Sequence, residues 1–183
     1  MNRKIRKSEA HSRDEAKRLI GSLFAAELAC PSSCIWIIAP WISDIPILDN
    51  TAATFSAMNR TAARVVTLSE ILVHLGTRGT TVVIGTSNEP SNEYLLTRLR
   101  RGFADDDLKE RLVVNIDNER RMHEKAIVAD DFVLDGSMNF TLNGIEIRGE
   151  SLELHTEEEF VRQARMDAQQ RFGGSVRARG LGQ

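Results

Sequence analysis

The sequence predicts an α/β fold in which a mixed β-sheet is sandwiched by helices. Runs of apolar and β-branched residues at Ile35–Ala39, Thr80–Gly85 and Leu112–Ile116 are typical of buried strands. Helical segments lie between these runs, and such alternation of strand and helix is typical of an α/β sheet. The length of 183 residues suits one compact domain with one core.

Four helices are predicted around these strands. In the first, over residues 12–29, apolar residues recur at helical spacing, Ser12 with Glu15 resembles a capping box, and Pro31 ends the helix. The others span about residues 69–75, 91–103 and 156–171. Residues 40–66 contain turn-forming residues without a clear period, which predicts a long loop, with or without a short helix. Within it, residues 44–64 could form a substrate lid, a dimer contact or a docking surface.

The predicted domain organisation has three parts. Residues 1–30 form a basic segment and the first helix, residues 31–172 form the main domain, and residues 173–183 form a tail. The tail is rich in glycine and poor in apolar residues, so it is predicted to be disordered.

The composition, with 42% hydrophobic and 27% charged residues, is that of an ordinary soluble protein. No run approaches the roughly 18 apolar residues of a membrane span, and no apolar leader region follows the basic start. We therefore expect a cytoplasmic protein that does not associate with membranes. The net charge of −2 does not indicate nucleic-acid binding, but Arg98, Arg100 and Arg101, and the pair Arg120 and Arg121, form local basic clusters. Such clusters can attract phosphate. The first cluster could equally be a solvated face balanced by Asp105–Asp107 and Glu157–Glu159.

The most informative stretch is a predicted β-hairpin. Its strands, Lys125–Ala129 and Phe132–Gly136, are joined by Asp130 and Asp131, and a further strand, Ser151–His155, follows. Residues two apart on a strand project to the same side. His123 and Lys125 are therefore expected to project together.

Ser137 and Asn139 are expected to share a face in the same way, and the turn decides how the two pairs meet. A three-residue turn would set Lys125 opposite Ser137 and His123 opposite Asn139, whereas a two-residue turn would send Ser137 to the other face. The chemistry favours the three-residue turn, because it gathers an imidazole, an ammonium, a hydroxyl and an amide. Asp130 lies an odd number of positions from His123, so it should face away and bond turn amides or a nearby side chain.

Such a patch suits a phosphodiester. Lys125, Ser137 and Asn139 can hold non-bridging oxygens and stabilise charge in the transition state. His123 can attack phosphorus at cellular pH, since imidazole titrates near pH 6.5. No metal ligands cluster around Cys30 and Cys34, so we expect neither a metal nor another cofactor.

The arrangement resembles the signature of the phospholipase D superfamily, His-x-Lys-x4-Asp followed by Gly-Ser-x-Asn. The matching residues are His123, Lys125, Asp130, Gly136, Ser137 and Asn139. Single-motif nucleases of the family also carry a Glu that hydrogen-bonds the catalytic His, and Glu150 stands at the corresponding position. One departure is that five residues separate Asp130 from Gly136 where six are usual, which shortens the hairpin.

The resemblance implies a metal-independent phosphodiesterase, a nuclease acting on DNA through a phosphohistidine. The sequence holds a single copy of the motif, and single-motif members of the family pair as homodimers that share one active site. A closer resemblance, carried by Ile38–Asn50 and the two motif halves, is to the phospholipase D-like component of bacterial gene clusters that install 7-deazapurines in DNA. It implies restriction of foreign DNA together with other proteins of a defence cluster.

Several alternatives stay open at this point. Trp41, at a strand end, could stack on a base or a lipid chain, or be buried in the core, and Arg120 and Arg121 could contact substrate. The chain could also be a catalytically silent DNA-binding or assembly subunit, or a lipid phosphodiesterase. DNA or RNA, one strand or two, and recognition of modified bases are not distinguished by the sequence.

Overall fold

A computed structural model of the chain describes residues 3–6, 11–51, 65–146 and 151–174. Nine strands lie within these ranges: β1 (Arg3–Arg6), β2 (Cys34–Ile38), β3 (Pro46–Asp49), β4 (Val65–Thr67), β5 (Thr81–Ser87), β6 (Leu112–Asp117), β7 (Ala126–Val128), β8 (Val133–Gly136) and β9 (Ser151–His155). The helices are α1 (His11–Ala29), α2 (Leu68–Thr77), α3 (Glu93–Gly102), α4 (Leu142–Glu146) and α5 (Glu158–Phe172).

Seven strands form one mixed sheet in the order β1-β9-β8-β7-β2-β5-β6. Strands β2, β5 and β6 are parallel to one another. Strand β7 runs antiparallel to β2, β8 to β7, β9 to β8 and β1 to β9. The predicted mixed sheet flanked by helices is confirmed.

Helices cover both faces of this sheet. On one face, α1, α2 and α3 pack on side chains such as Ile35, Ile37 and Ile84. On the other face, α5 packs on a smaller cluster that includes Trp36 and Val128. Strand β2 lies in the middle and is buried throughout, which is why its sequence is a continuous apolar run rather than an alternating one. Within the described ranges, no helix combines the length and apolarity needed to cross a bilayer.

The prediction of a long loop over residues 40–66 is wrong in the described parts of this region, which contain strands β3 and β4. Strand β3 follows β2 in the chain and pairs antiparallel with β4, and Ile45, Leu48 and Val66 from this region enter the main core. Strands of four and three residues are too short to show an alternating pattern in a sequence. Residues 52–64 lie outside the described ranges.

The helix ends differ slightly from the predicted ones. Helix α1 begins at His11, one residue before the predicted cap, and the Ser12 side chain lies outside the described part. A capping box is present at α2, where the Glu70 carboxylate accepts a hydrogen bond of 2.9 Å from the Thr67 amide. The tail predicted from Gly173 is described only to Gly174, where the Gly173 carbonyl accepts a bond from Trp36 Nε1 at 2.9 Å.

Candidate active site

The candidate site lies at one edge of the main sheet. Strands β2, β5 and β6 end at this edge, β7 begins there and β8 ends there, because β7 is antiparallel to β2 and β8 to β7. His123 and Lys125 precede β7, while Ser137 and Asn139 follow β8. The two halves of the motif meet directly, since the Gly136 amide donates a hydrogen bond of 3.2 Å to the Lys125 carbonyl.

The predicted pairing of the two motif halves is wrong by one residue. Ala126 pairs with Asp135 and Val128 with Val133, so that Lys125 comes opposite Gly136 rather than Ser137. The cause is the short turn: the Ala129 amide donates to the Phe132 carbonyl at 2.9 Å, leaving only two residues between them. Since β8 ends at Gly136, strand alternation no longer determines where Ser137 and Asn139 point.

His123 and Lys125 both lie before the first residue of β7, so strand alternation does not determine whether they project together as predicted. The His123 side chain is exposed. The half-buried Lys125 extends back toward it, and its Nζ donates to the His123 carbonyl oxygen at 2.6 Å. An ammonium group is therefore held beside the backbone of the candidate nucleophile. That position suits a cation that stabilises negative oxygens on a substrate bound there.

Ser137 is fixed by the neighbouring strand. Its amide donates to the Ser151 carbonyl at 3.1 Å, and its Oγ accepts a bond of 3.0 Å from the Ser151 amide. Asn139 Oδ1 is buried and has no hydrogen-bond partner in the described part of the chain. Buried acceptors are normally paired, so this amide oxygen marks a position where a donor is expected.

Gly136 is the residue that allows this close approach of β8 and β9. Its φ is +151°, and a Cβ at this position would overlap the Ser151 carbonyl oxygen. Because glycine has no Cβ, Gly136 allows the backbone to adopt this conformation at the end of β8, just before Ser137.

We expect Gly136→Ala to lower the free energy of unfolding by more than about 1 kcal/mol, because strain and overlap add. Urea unfolding measures the effect. Gly79→Ala is the matched control, since Gly79 also has a positive φ, of 97°, but nothing lies within 4 Å of a Cβ there. Equal losses of stability for the two variants would contradict the overlap.

Asp130 lies at the opposite edge of the sheet, in the turn between β7 and β8. Its carboxylate accepts hydrogen bonds from the Ser33 amide at 2.8 Å and the Ser33 hydroxyl at 3.0 Å. The guanidinium of Arg165, in α5, lies 2.8 Å from the same carboxylate.

The backbone of Asp130 is linked to a buried carboxyl, because the Asp130 amide donates to Ser32 Oγ at 3.0 Å and that hydroxyl donates to Glu27 at 2.8 Å. Burial raises the pKa of the Glu27 carboxyl, and the nearby Asp130 charge adds to this. Asp130 thus faces away from His123 and joins the turn to β2 and α5.

Trp41 follows β2 at the site edge, and its side chain is 44% exposed. Of the two interpretations left open by the sequence, burial in the core is excluded. Arg120 and Arg121 lie just before the motif, and both are ion-paired, Arg120 Nε with Glu89 at 3.2 Å and Arg121 with Glu119. Both arginines are exposed, so solvent screens these ion pairs and each contributes little to stability.

Acidic residues also balance the other basic cluster. Arg98 Nε lies 3.1 Å from the Asp44 carboxylate, and Arg100 lies 2.7 Å from Glu93. Asp44 additionally accepts bonds from the amide and hydroxyl of Ser69 at the start of α2. Arg98 therefore holds the segment after β2 against α2 and α3.

An open cleft of roughly 460 Å³ lies between α5 and the sheet and reaches Lys125 and Gly136 at the site edge. Four carboxylates line it, against two basic side chains: Glu124, Asp135, Glu153 and Asp167, with Lys125 and Arg171. Negative charge repels phosphate. We therefore expect a phosphodiester to approach the edge from outside this cleft.

Two residues at the edge were not identified from the sequence. Asn92 is 1% exposed, and its Oδ1 accepts a hydrogen bond from the Ile42 amide. Its Nδ2 donates to the Pro40 and Ser87 carbonyls and to the Thr86 hydroxyl. Asp117 ends β6, and its carboxylate accepts two backbone amides of the following turn. An Asp just after an apolar strand is a signal for such a turn, whereas nothing in the sequence around Asn92 indicates its contacts. Glu150 lies outside the described ranges, and β9 begins at the next residue.

Comparison with known proteins gives similarity in structure alone. No protein-family model and no curated protein matches the chain. NucT from Helicobacter pylori superposes with a TM-score of 0.58 at 14% identity, over 93% of this chain and 94% of that one. A phospholipase D family member, Nuc from Salmonella typhimurium, gives 0.55 at 14% identity, over 93% and 91%.

The fold is phospholipase D-like. A third structure, polyphosphate kinase from Porphyromonas gingivalis, gives a TM-score of 0.56 at 12% identity and covers 92% of this chain but 25% of the kinase. Phospholipase D-like folds thus occur both as small proteins of this length and as parts of larger ones. At such low identity the superpositions establish the architecture, and chemistry has to be argued from the residues.

Proposed function

We propose that the chain is a phosphodiesterase, a nuclease that cleaves DNA through a covalent phosphohistidine at His123. The observation that supports this most is the meeting of the two motif halves at one sheet edge, where the Gly136 amide bonds the Lys125 carbonyl. A candidate nucleophile, a cation, a hydroxyl and a side-chain amide then lie on adjacent segments. The similarity in fold to a phospholipase D family member supports the same chemistry.

The reaction proceeds in two displacements at phosphorus. An imidazole nitrogen of His123 forms a bond to phosphorus, and the bond from phosphorus to the departing oxygen breaks while that oxygen takes a proton from a second imidazole. The second imidazole then takes a proton from water, whose oxygen attacks phosphorus and breaks the nitrogen–phosphorus bond. Lys125, Ser137 and Asn139 hold the non-bridging oxygens in both steps. Glu150, at the position where single-motif members of the family carry a Glu bonded to the catalytic His, orients the His123 ring.

The second imidazole is His123 of the partner subunit in a two-fold homodimer. The sequence holds one copy of the motif, and an isologous interface places equivalent residues near its axis. The exposed position of His123 at the sheet edge is compatible with such pairing. One active site per dimer follows from this arrangement.

Trapping the intermediate tests the proposal. The protein is mixed with a single-stranded oligonucleotide, quenched in alkali, where phosphohistidine persists, and digested for mass spectrometry. The expected result is a nucleotide adduct on the peptide that contains His123. Binding of the oligonucleotide without an adduct and without cleavage, weakening steeply with salt, would support a catalytically silent DNA-binding subunit instead.

Metal removal provides an independent prediction. Because an imidazole serves as nucleophile and an ammonium stabilises the charge, we expect turnover in excess EDTA to stay within about twofold of the untreated rate. Hydrolysis of bis-p-nitrophenyl phosphate before and after chelation measures this. A loss of turnover that added Mg²⁺ restores would indicate metal-assisted hydrolysis, in which His123 has another role.

We further propose that the protein restricts DNA lacking 7-deazapurines, together with other proteins of a defence cluster. The closer likeness of the sequence to a component of such clusters is the support for this context. Matched plasmids with and without the modification provide the test, and a vesicle containing phosphatidylcholine serves as the lipid control. Cleavage of both plasmids at equal rates would contradict restriction, and preferential hydrolysis of the lipid would favour a lipid phosphodiesterase.

A further inference from the structure

The segment that carries His123 has to cross the sheet edge. Strand β6 lies at the end of the sheet row, and β5 and β2 separate it from β7. Three strand spacings, roughly 14 Å, lie between the end of β6 and the start of β7. Residues 118–125, which make this crossing, form no helix or strand. The position of His123 therefore depends on what fixes the crossing segment.

Asp117, the last residue of β6, fixes the first part of that segment. One oxygen of its carboxylate accepts a bond of 2.9 Å from the Glu119 amide, and the other accepts a bond of 2.7 Å from the Met122 amide. Met122 immediately precedes His123 and packs on the cluster beneath α5. A single carboxylate thus closes the turn and holds the residue next to the candidate nucleophile.

Other contacts hold the same turn against the end of β5. The Asn88 amide donates to the Asp117 carbonyl at 3.1 Å, and the Asn88 side chain donates to Asn118 Oδ1 at 3.1 Å. Arg120 adopts a φ of +54° and pairs with Glu89. A non-glycine residue in this conformation marks a turn that the surrounding contacts over-determine.

We propose that Asp117 is a positioning residue for His123: by accepting the Glu119 and Met122 amides, it sets the direction in which the imidazole leaves the crossing segment. The inference rests on the proposed function only where it concerns turnover. Asp117 itself does not touch substrate. Its loss would let His123 move, and a displacement of about 1 Å can cost on the order of 100-fold in rate.

The test compares Asp117→Ala and Asp117→Asn with Asp49→Ala. Asp49 is a matched control because it also ends a strand, β3, and accepts the amide of the residue two positions on, at 2.9 Å from Thr51. For hydrolysis of bis-p-nitrophenyl phosphate we expect kcat to fall roughly 100-fold in Asp117→Ala with KM within about threefold. Asp117→Asn keeps an acceptor for one amide and is expected to recover about a tenth of the wild-type kcat. Asp49→Ala should match the wild type.

A second measurement does not depend on turnover. Imidazole NMR signals of His123, assigned with His123→Ala, should broaden or shift in Asp117→Ala and stay unchanged in Asp49→Ala. An unchanged His123 signal in Asp117→Ala would overturn the positioning role, as would equal kcat values in the two alanine variants. A wild-type protein without turnover, but with a His123 signal that responds to Asp117→Ala, would refute the proposed function and uphold the positioning role.

Discussion

Replacing His123 with alanine is expected to lower phosphodiester turnover by roughly three orders of magnitude or more, because the proposed covalent step would lose its nucleophile. The unfolding midpoint should stay unchanged, since the side chain is exposed and its removal leaves no cavity. Hydrolysis of bis-p-nitrophenyl phosphate and thermal unfolding measure the two effects. His74→Gln is the control, because His74 lies on α2, outside the motif.

Mixing extends this prediction to the shared site. Wild-type and His123→Ala subunits are combined in known ratios, allowed to exchange, and assayed at constant total protein. If each site needs both imidazoles, activity should fall as the square of the wild-type fraction. A linear fall would mean that each subunit carries a complete site, which would contradict the dimeric mechanism.

Replacing Asp130 with alanine is expected to cost about 3–5 kcal/mol of unfolding free energy, the usual consequence of removing one partner of a buried ion pair. The Asp130 side chain is 4% exposed and that of Arg165 is 14% exposed, so the guanidinium would stay buried without a counter-charge. Arg165 Nε already lacks a hydrogen-bond partner within the described residues. Denaturant unfolding measures the loss, and we expect the melting temperature to fall by on the order of 10 °C.

A double-mutant cycle separates the ion pair from the other Asp130 contacts. Arg165→Met replaces the charged side chain with an unbranched apolar one. The double variant Asp130→Ala/Arg165→Met should therefore be more stable than Asp130→Ala alone. Additive losses in the cycle would show that the two side chains are not coupled. Asp130→Ala is also expected to keep its activity per folded molecule, assayed well below its melting temperature.

The sequence predicted those parts of the fold in which local pattern and burial agree. Strands β2 and β5 are buried along their whole length, so their apolar runs are unmistakable. Helices α1 and α2 show their apolar faces at helical spacing. Strands β3 and β4 were missed because their pairing is between short segments far apart in the chain. No local pattern encodes such a contact.

The sequence predicted that the two motif halves would meet at one edge of the sheet, but not how they would be arranged there. The spacing of the motif was enough to identify His123, Lys125 and Ser137 as neighbours at one edge. The register of the hairpin was not, because turns of two and three residues are both compatible with the sequence around Asp130. Asp117 was not singled out, because its proposed role depends on the chain crossing from β6 to β7, and that crossing follows from the strand order.

The hairpin from His123 to Ser137 connects the candidate site at one edge of the sheet with the buried ion pair of Asp130 at the opposite edge. Inactive variants recovered from a selection in cells should therefore fall into two groups. Substitutions at His123 should abolish function at every growth temperature, while the protein accumulates normally. Substitutions at Asp130 should give little protein at high temperature and regain function when cells grow cooler, because marginal folding governs abundance there. The six fixed residues of the signature therefore include some whose substitution would abolish activity and some whose substitution would lower the amount of folded protein.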